Sequence, residues 1–234
     1  IVTGVQTCAL PISYPVKEMA EVGDEIFANE FVTTLGYGTT EGYTPLREQT
    51  KKRLREKYQT GTDDDDVIIT TGGQQTISLF TQTMINKGDV IVCEEPSFIG
   101  ALNAFRSFGA QLKGVPMDDD GMRMDLLEEV LSTTKNVKFI YVIPTFQNPS
   151  GRTMTLERRK QLLALAKKYD VLILEDTPYF ELRYEGEPVA TVKSMDTEGR
   201  VVYAGSYSKV LSPGMRIGFC LANKEIINRM VVCK

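Results

Sequence analysis

The residues best placed to do chemistry include those of one segment near the C-terminal end, GSYSKVLSPGMRIGF at 205–219. It sets Lys209 among the small hydroxyl residues Ser206 and Ser208, with Arg216 seven positions on. An amine suits a carbonyl, and hydroxyls with a guanidinium suit an anion. Four other places offer matching groups. Thr71-Gly72-Gly73-Gln74-Gln75 leads into a helical pattern, where free backbone N–H groups and the helix dipole favour a phosphate. Phe98, in EEPSF, offers a ring that could stack on another flat ring, and Asn148-Pro149 in QNPSG presents an amide on a turn. Asp176-Thr177-Pro178-Tyr179 brings a carboxylate and, three residues later, a phenol. Singly, each has a structural alternative: a Gly-Gly turn that only shapes the backbone, a core Phe at a helix start, an Asp that caps or turns the chain. Together they call for a planar, phosphorylated, carbonyl-bearing cofactor.

These groups are useful only if the elements carrying them converge. Short β-rich runs at 67–70 (VIIT), 90–93 (VIVC), 139–143 (FIYVI), 171–176 (VLILED), 201–205 (VVYAG) and 216–222 (RIGFCLA) read as strands. Between them, 74–85 puts Ile77, Phe80 and Met84 on one helical face, and 156–169 carries Leu162, Leu163 and Leu165 in a charged helix. This alternation predicts a mostly parallel sheet with crossover helices. In such sheets ligands bind beyond the carboxyl ends of the strands, and each candidate segment above begins at or just after the end of a predicted strand. The acidic run 63–66 reads as a solvated loop, since it lacks the spaced ligands of a calcium loop. Residues 225–232 begin another helical pattern.

The chain of 234 residues, 42% hydrophobic and 25% charged, has the composition of a globular protein. A net charge of −4 gives no reason to expect a nucleic acid or an anionic membrane as partner. No apolar run reaches the roughly 18–20 residues of a membrane helix. The four cysteines form no CxxC pair, which suggests neither a zinc site nor a disulfide framework and fits a reducing cytoplasm. There is no histidine, so proton chemistry falls to Lys, Asp, Glu, Tyr or Cys. Residues 1–12, IVTGVQTCALPI, lack the basic start of a signal peptide, and 2–12 look like a translated sequencing-adapter oligonucleotide. They are set apart from 13–234, and both ends read as cut.

The pieces YGTTEGYTPLRE from Tyr37, TGGQQ, EEPSF, QNPSGRTMT, EDTPY and SYSKVLSPGMRIGF, in this order, resemble the large domain of the fold-type I, class I/II pyridoxal-phosphate aminotransferases, in the aminoadipate and aromatic branch. The resemblance implies an α/β fold: a mostly parallel central sheet, one antiparallel strand, and helices on both faces. The small C-terminal domain, with the arginine that clasps the substrate carboxylate, would lie beyond Lys234. It implies pyridoxal 5'-phosphate as cofactor, Lys209 as the Schiff-base and proton-transfer lysine, and Asp176 as partner of the ring nitrogen. Asn148 and Tyr179 would meet the phenolic oxygen, and Phe98 the ring face. Ser206, Ser208, Arg216 and the backbone of Gly73 and Gln74 would hold the phosphate. Tyr37 would reach the phosphate of a neighbouring subunit, making a homodimer with shared sites. Gly73 departs from the serine or alanine of many relatives, and Phe98 from their tyrosine.

The resemblance thus implies amino transfer between an amino acid and a 2-oxo acid. Two other readings use the same domain: the effector-sensing part of a winged-helix transcription regulator, and another fold-type I activity such as a β-lyase. An upstream basic helix-turn-helix would mark the regulator. Arg152 and Arg183 could be imagined as binders of a substrate carboxylate, but as arginines in predicted loops they read as ordinary surface residues.

Overall fold

The computed structural model describes residues 14–234; the expectation for 1–12, Cys8 included, falls outside them. Three helices come first: α1 (Val16–Asn29), α2 (Phe31–Leu35) and α3 (Thr44–Tyr58). Strands and helices then alternate as β1 (Asp65–Thr70), α4 (Gly73–Met84), β2 (Val90–Glu95), α5 (Ile99–Ser107), β3 (Gln111–Asp118), β4 (Gly121–Met122) and α6 (Met124–Thr133). They continue with β5 (Val137–Val142), α7 (Leu156–Lys168), β6 (Leu172–Asp176), β7 (Val201–Ser206), β8 (Gly218–Asn223) and α8 (Lys224–Cys233). The sheet order is β1-β8-β7-β6-β5-β2-β3-β4. β8 is antiparallel to both of its neighbours, β1 and β7, while β7, β6, β5, β2 and β3 run parallel. The two-residue β4 adds a third antiparallel pairing through a hairpin from β3.

The central strands form from nearly continuous β-branched and aromatic runs because both of their faces are covered. On one face Ile68, Ile91, Phe139, Leu174 and Val202 pack with Ile77 and Phe80 of α4, Phe105 of α5 and Met230 of α8. On the other, Val92, Ile140, Val142 and Ile173 meet Leu127 of α6 and Leu162 of α7. Fully burying each such side chain contributes about 1.5–3 kcal/mol. Strand alternation sorts the end of β6 in the same way. Asp176 shares the α4 and α5 face with Leu174, while Glu175 turns to the opposite face and accepts the amides of Val192 and Lys193, each at 2.8 Å.

Two sequence expectations change. Asp65 and Asp66 open β1 rather than lying in a solvated loop, and Asp65 is buried. Lys193 Nζ, itself buried, lies 2.8 Å from Asp65 Oδ1 and 3.2 Å from Asp196 Oδ2. The amide of Thr62 donates to Asp65 and that of Val201 to Asp196, so both carboxylates are well supplied with donors. Lys193→Met would leave two carboxylates buried without their cation. We expect a loss of about 3–5 kcal/mol in unfolding free energy, read from denaturant midpoints; a loss under about 1 kcal/mol would count against this account. The last predicted strand also starts two residues later than expected, at Gly218, because Arg216 adopts a left-handed conformation with φ 51°.

Candidate functional site

Beyond the ends of β5, β6 and β7 lies a cavity of about 250 Å3. It gathers Gly73, Gln74, Phe98, Asn148, Asp176, Tyr179, Ser206, Ser208, Lys209 and Arg216 from segments scattered over more than half of the chain. Tyr37 lies elsewhere and is fully exposed. Arg152 and Arg183 do not line the cavity: Arg152 pairs with Asp119 at 3.3 Å, and the Arg183 guanidinium sits 4.8 Å from the Phe146 ring centre.

One end of the cavity is built for an anion. Gly72 has φ +76° just before the first turn of α4, so the turn presents the helix N-terminus to the cavity. Gly218 makes this possible from behind: a Cβ there would lie 2.6 Å from Gly72 C and 2.8 Å from Gly73 N. The Gln74 side chain donates to Gly100 O at 3.0 Å, which leaves its backbone amide as its contribution to the turn. Arg216 leans against the same turn, its Nη1 donating to Pro213 O at 3.2 Å and its Nη2 reaching Thr71 O at 3.5 Å. The strained φ of Arg216 aims the guanidinium at this place. Ser206 Oγ accepts the Ser208 amide at 3.2 Å and adds hydroxyls to the donor set.

The other end holds a carboxylate, an amide, a phenol and a lysine. Asp176 is buried, and desolvation pushes its carboxyl up to about 6 against the opposing pull of the hydrogen bond from the Tyr141 hydroxyl and the nearby Thr177 amide, which itself donates to Ala204 O. Asn148 Nδ2 lies 3.4 Å from Tyr179 Oη, a long contact that brings the amide and the phenol to one side. Lys209 Nζ lies 5.9 Å from the Tyr179 ring centre. Phe98 ends the loop into α5, and Gly100 lets its ring lie close, since a Cβ at 100 would come 2.5 Å from Phe98 Cζ. A flat, phosphorylated ligand bearing a carbonyl and a ring nitrogen would find a partner for each of these features.

The structure also assigns supporting residues that the sequence reading passed over. Gln147, beside Asn148, is buried; its Nε2 donates to Pro96 O at 2.8 Å and reaches Glu94 Oε2 at 3.3 Å, while its Oε1 accepts the Ser150 amide at 2.8 Å. It therefore staples the turn carrying Asn148 to the end of β2. Glu94 is pushed up to about 8 by burial, opposed by hydrogen bonds from the Ile143 amide and Gln147, with the Asp176 charge raising it further. Buried Arg159 ties the loop after β5 in place through Pro144 O at 2.7 Å and Thr145 Oγ1 at 2.9 Å. Burial, visible only after folding, is what marks all three. Gln147 alone had a sequence cue, its place in the QNPSG motif.

A family model described as aminotransferase class I and II matches residues 9–233. The chain is 45% identical over 228 residues to an aromatic-amino-acid aminotransferase of Thermococcus litoralis, covering 96% of this chain and 55% of that protein. It is 35% identical to a 2-aminoadipate transaminase of Thermus thermophilus, again over 96% of this chain and 55% of the relative. A solved kynurenine aminotransferase of Pyrococcus horikoshii superimposes with a TM-score of 0.92 at 43% identity, over 95% of this chain and 56% of that one. The chain thus spans little more than half the length of these relatives.

Proposed function

From the premise that the chain belongs to the class I and II aminotransferase family, we propose that the whole protein moves an amino group between an amino acid and a 2-oxo acid, with pyridoxal 5'-phosphate as its cofactor. The observation that carries this reading is the single cavity that joins an anion cradle to a carboxylate, an amide, a phenol and a lysine. The Pyrococcus horikoshii relative was solved with PMP, and a Thermus thermophilus α-aminoadipate aminotransferase with a phosphopyridoxyl-leucine.

The residues fit that group. Arg216, Ser206, Ser208 and the amides of Gly73 and Gln74 would bind the phosphate, and Phe98 would cover the ring face. Asp176 would accept from the ring nitrogen and keep a proton there. Asn148 and Tyr179 would orient the phenolic oxygen, and Lys209 Nζ would carry the proton to and from the substrate Cα. When bound, the cofactor supplies a carbonyl that carries the amino group and a conjugated ring that accepts electrons.

Tyr37 follows α1 and α2, whose apolar residues Val22, Phe27, Val32 and Leu35 are exposed. We place this arm against a second copy, with Tyr37 at the partner's phosphate end, and the protein in the cytoplasm, which suits its free cysteines. Aromatic amino acids, kynurenine and 2-aminoadipate, named for the relatives, are the donors to try first. Full-length protein incubated with one of them and a 2-oxo acid should form the corresponding new amino acid. No transfer with any pair, or a reading frame with a basic helix-turn-helix upstream, would overturn the reading.

The cradle gives a separate prediction. Gly218→Ala should displace the Gly72-Gly73 turn and weaken cofactor affinity about tenfold or more, the scale of losing one charge-assisted hydrogen bond. Gly73→Ser should be accommodated, since its Cβ would lie no closer than 3.8 Å to Ser206 Cβ. Both are read by fluorescence titration with pyridoxal phosphate.

A further inference from the structure

One buried hydroxyl beside the cavity has no place in the roles above. Tyr141 on β5 is fully buried and is set opposite Leu174 in the parallel register with β6. Its ring packs edge-on against Phe105, with ring centres 5.3 Å apart, and its hydroxyl reaches along the same face to Asp176 Oδ2 at 2.8 Å. We infer that Tyr141 is a positioning residue for the reaction: its hydroxyl holds one oxygen of Asp176, so that the carboxylate stays ionised with its other oxygen available to the cavity. The inference rests on the aminotransferase reading only for its effect on turnover.

The geometry leaves the pair little freedom. Both side chains project from neighbouring central strands rather than loops, and the ring is fixed by Phe105. Burial and the Asp176 charge raise the Tyr141 phenol well above its ordinary value, so it remains a donor at every working pH. A donor to the ionised form opposes the desolvation that drives Asp176 towards its neutral acid. The titratable groups facing the pair are Cys93 and Glu94 on β2, and Tyr179, Lys209 and Arg216 around the cavity. Of these Glu94 is pushed further up than Asp176, to about 8 against about 6, so Asp176 is the more readily ionised carboxylate of the two.

The test is Tyr141→Phe in the full-length protein, which keeps the ring and removes the hydroxyl. The protonation midpoint of Asp176 is read by infrared difference spectroscopy against Asp176→Asn, before and after loading with pyridoxal phosphate. The midpoint should rise by about one pH unit, a tenfold gain in proton affinity. In the loaded protein the acid limb of kcat should move up in parallel while KM stays unchanged. A role in packing alone would be satisfied by phenylalanine, so an unmoved midpoint overturns the inference. Should Tyr141→Phe fold poorly, 3-fluorotyrosine at position 141 preserves the hydroxyl and strengthens the donor. The midpoint should then fall, and a rise or no change overturns the inference. If the midpoint shifts as expected but wild-type protein transfers no amino group, the aminotransferase reading fails and the hydrogen-bond assignment stands.

Discussion

Lys209→Ala in the full-length protein is expected to lower amino transfer by at least about a thousandfold, the scale of removing a positioned general base together with a covalent anchor. The lysine belongs to the turn after β7, on the same cavity as Asp176, Asn148 and Tyr179. Cofactor affinity should fall much less, because the phosphate end, with Ser206, Ser208, Arg216 and the first turn of α4, is untouched. Two measurements separate these effects. Borohydride treatment followed by mass spectrometry should fix the cofactor to the wild-type peptide that contains Lys209 and to no peptide of the variant. Added small primary amines should restore part of the variant's turnover, since they supply the missing proton acceptor. A variant with full turnover would show that the lysine has been wrongly assigned.

Asp176→Ala should leave the cofactor bound and lower turnover by about a hundred- to a thousandfold, as expected for loss of one preorganised electrostatic partner. A variant of comparable activity would refute the role given to this carboxylate. The buried acid also leaves a thermodynamic trace in the cofactor-free protein. Its folded midpoint of about 6 lies above the ordinary aspartate value of about 3.9. Between these pH values the folded chain holds a proton that the unfolded chain has lost. The contribution of Asp176 to stability is therefore largest below this window and falls as pH rises through it. Asp176→Asn should remove this share of the slope, which is visible by comparing denaturant midpoints of the two proteins at pH 4 and pH 7. An unchanged slope would mean that the carboxyl titrates normally.

Strands buried on both faces could be read from the chain because VIIT, VIVC, FIYVI, VLILED and VVYAG have no surface to alternate with, and each falls within a strand or overruns it by a residue. β3 was harder. QLKGVPMD lies near the sheet edge, with little on its outer side beyond the short β4, and it contains both Gly114 and Pro116, which argue against a strand when read alone. Gly114 is explained only by its neighbour, since a Cβ there would lie 2.8 Å from Glu95 Oε2. The same contrast holds in the site. Lys209 and Asn148 stand in turn-rich segments, and Asp176 closes an apolar run just before a turn, so they draw attention, whereas Tyr141 lies inside FIYVI and reads as one more core aromatic. Its polar atom acquires meaning only from the register that puts Asp176 beside it. Lys193, whose two aspartate partners lie 3 and 128 residues away, was hidden for the same reason.

The adjacent acids at the end of β6 bear on how the chain reaches this fold. Glu175 and Asp176 face opposite sides of the sheet, one holding the Val192 and Lys193 amides and the other meeting Tyr141. A slip of one residue against β5 would exchange them, turning each acid away from its donors while burying it just as deeply. The strand's apolar residues alone would tolerate the slip, because Leu172, Ile173 and Leu174 are hydrophobic whichever way they face. The pair of carboxylates thus penalises an alignment that the oily part of the strand would accept.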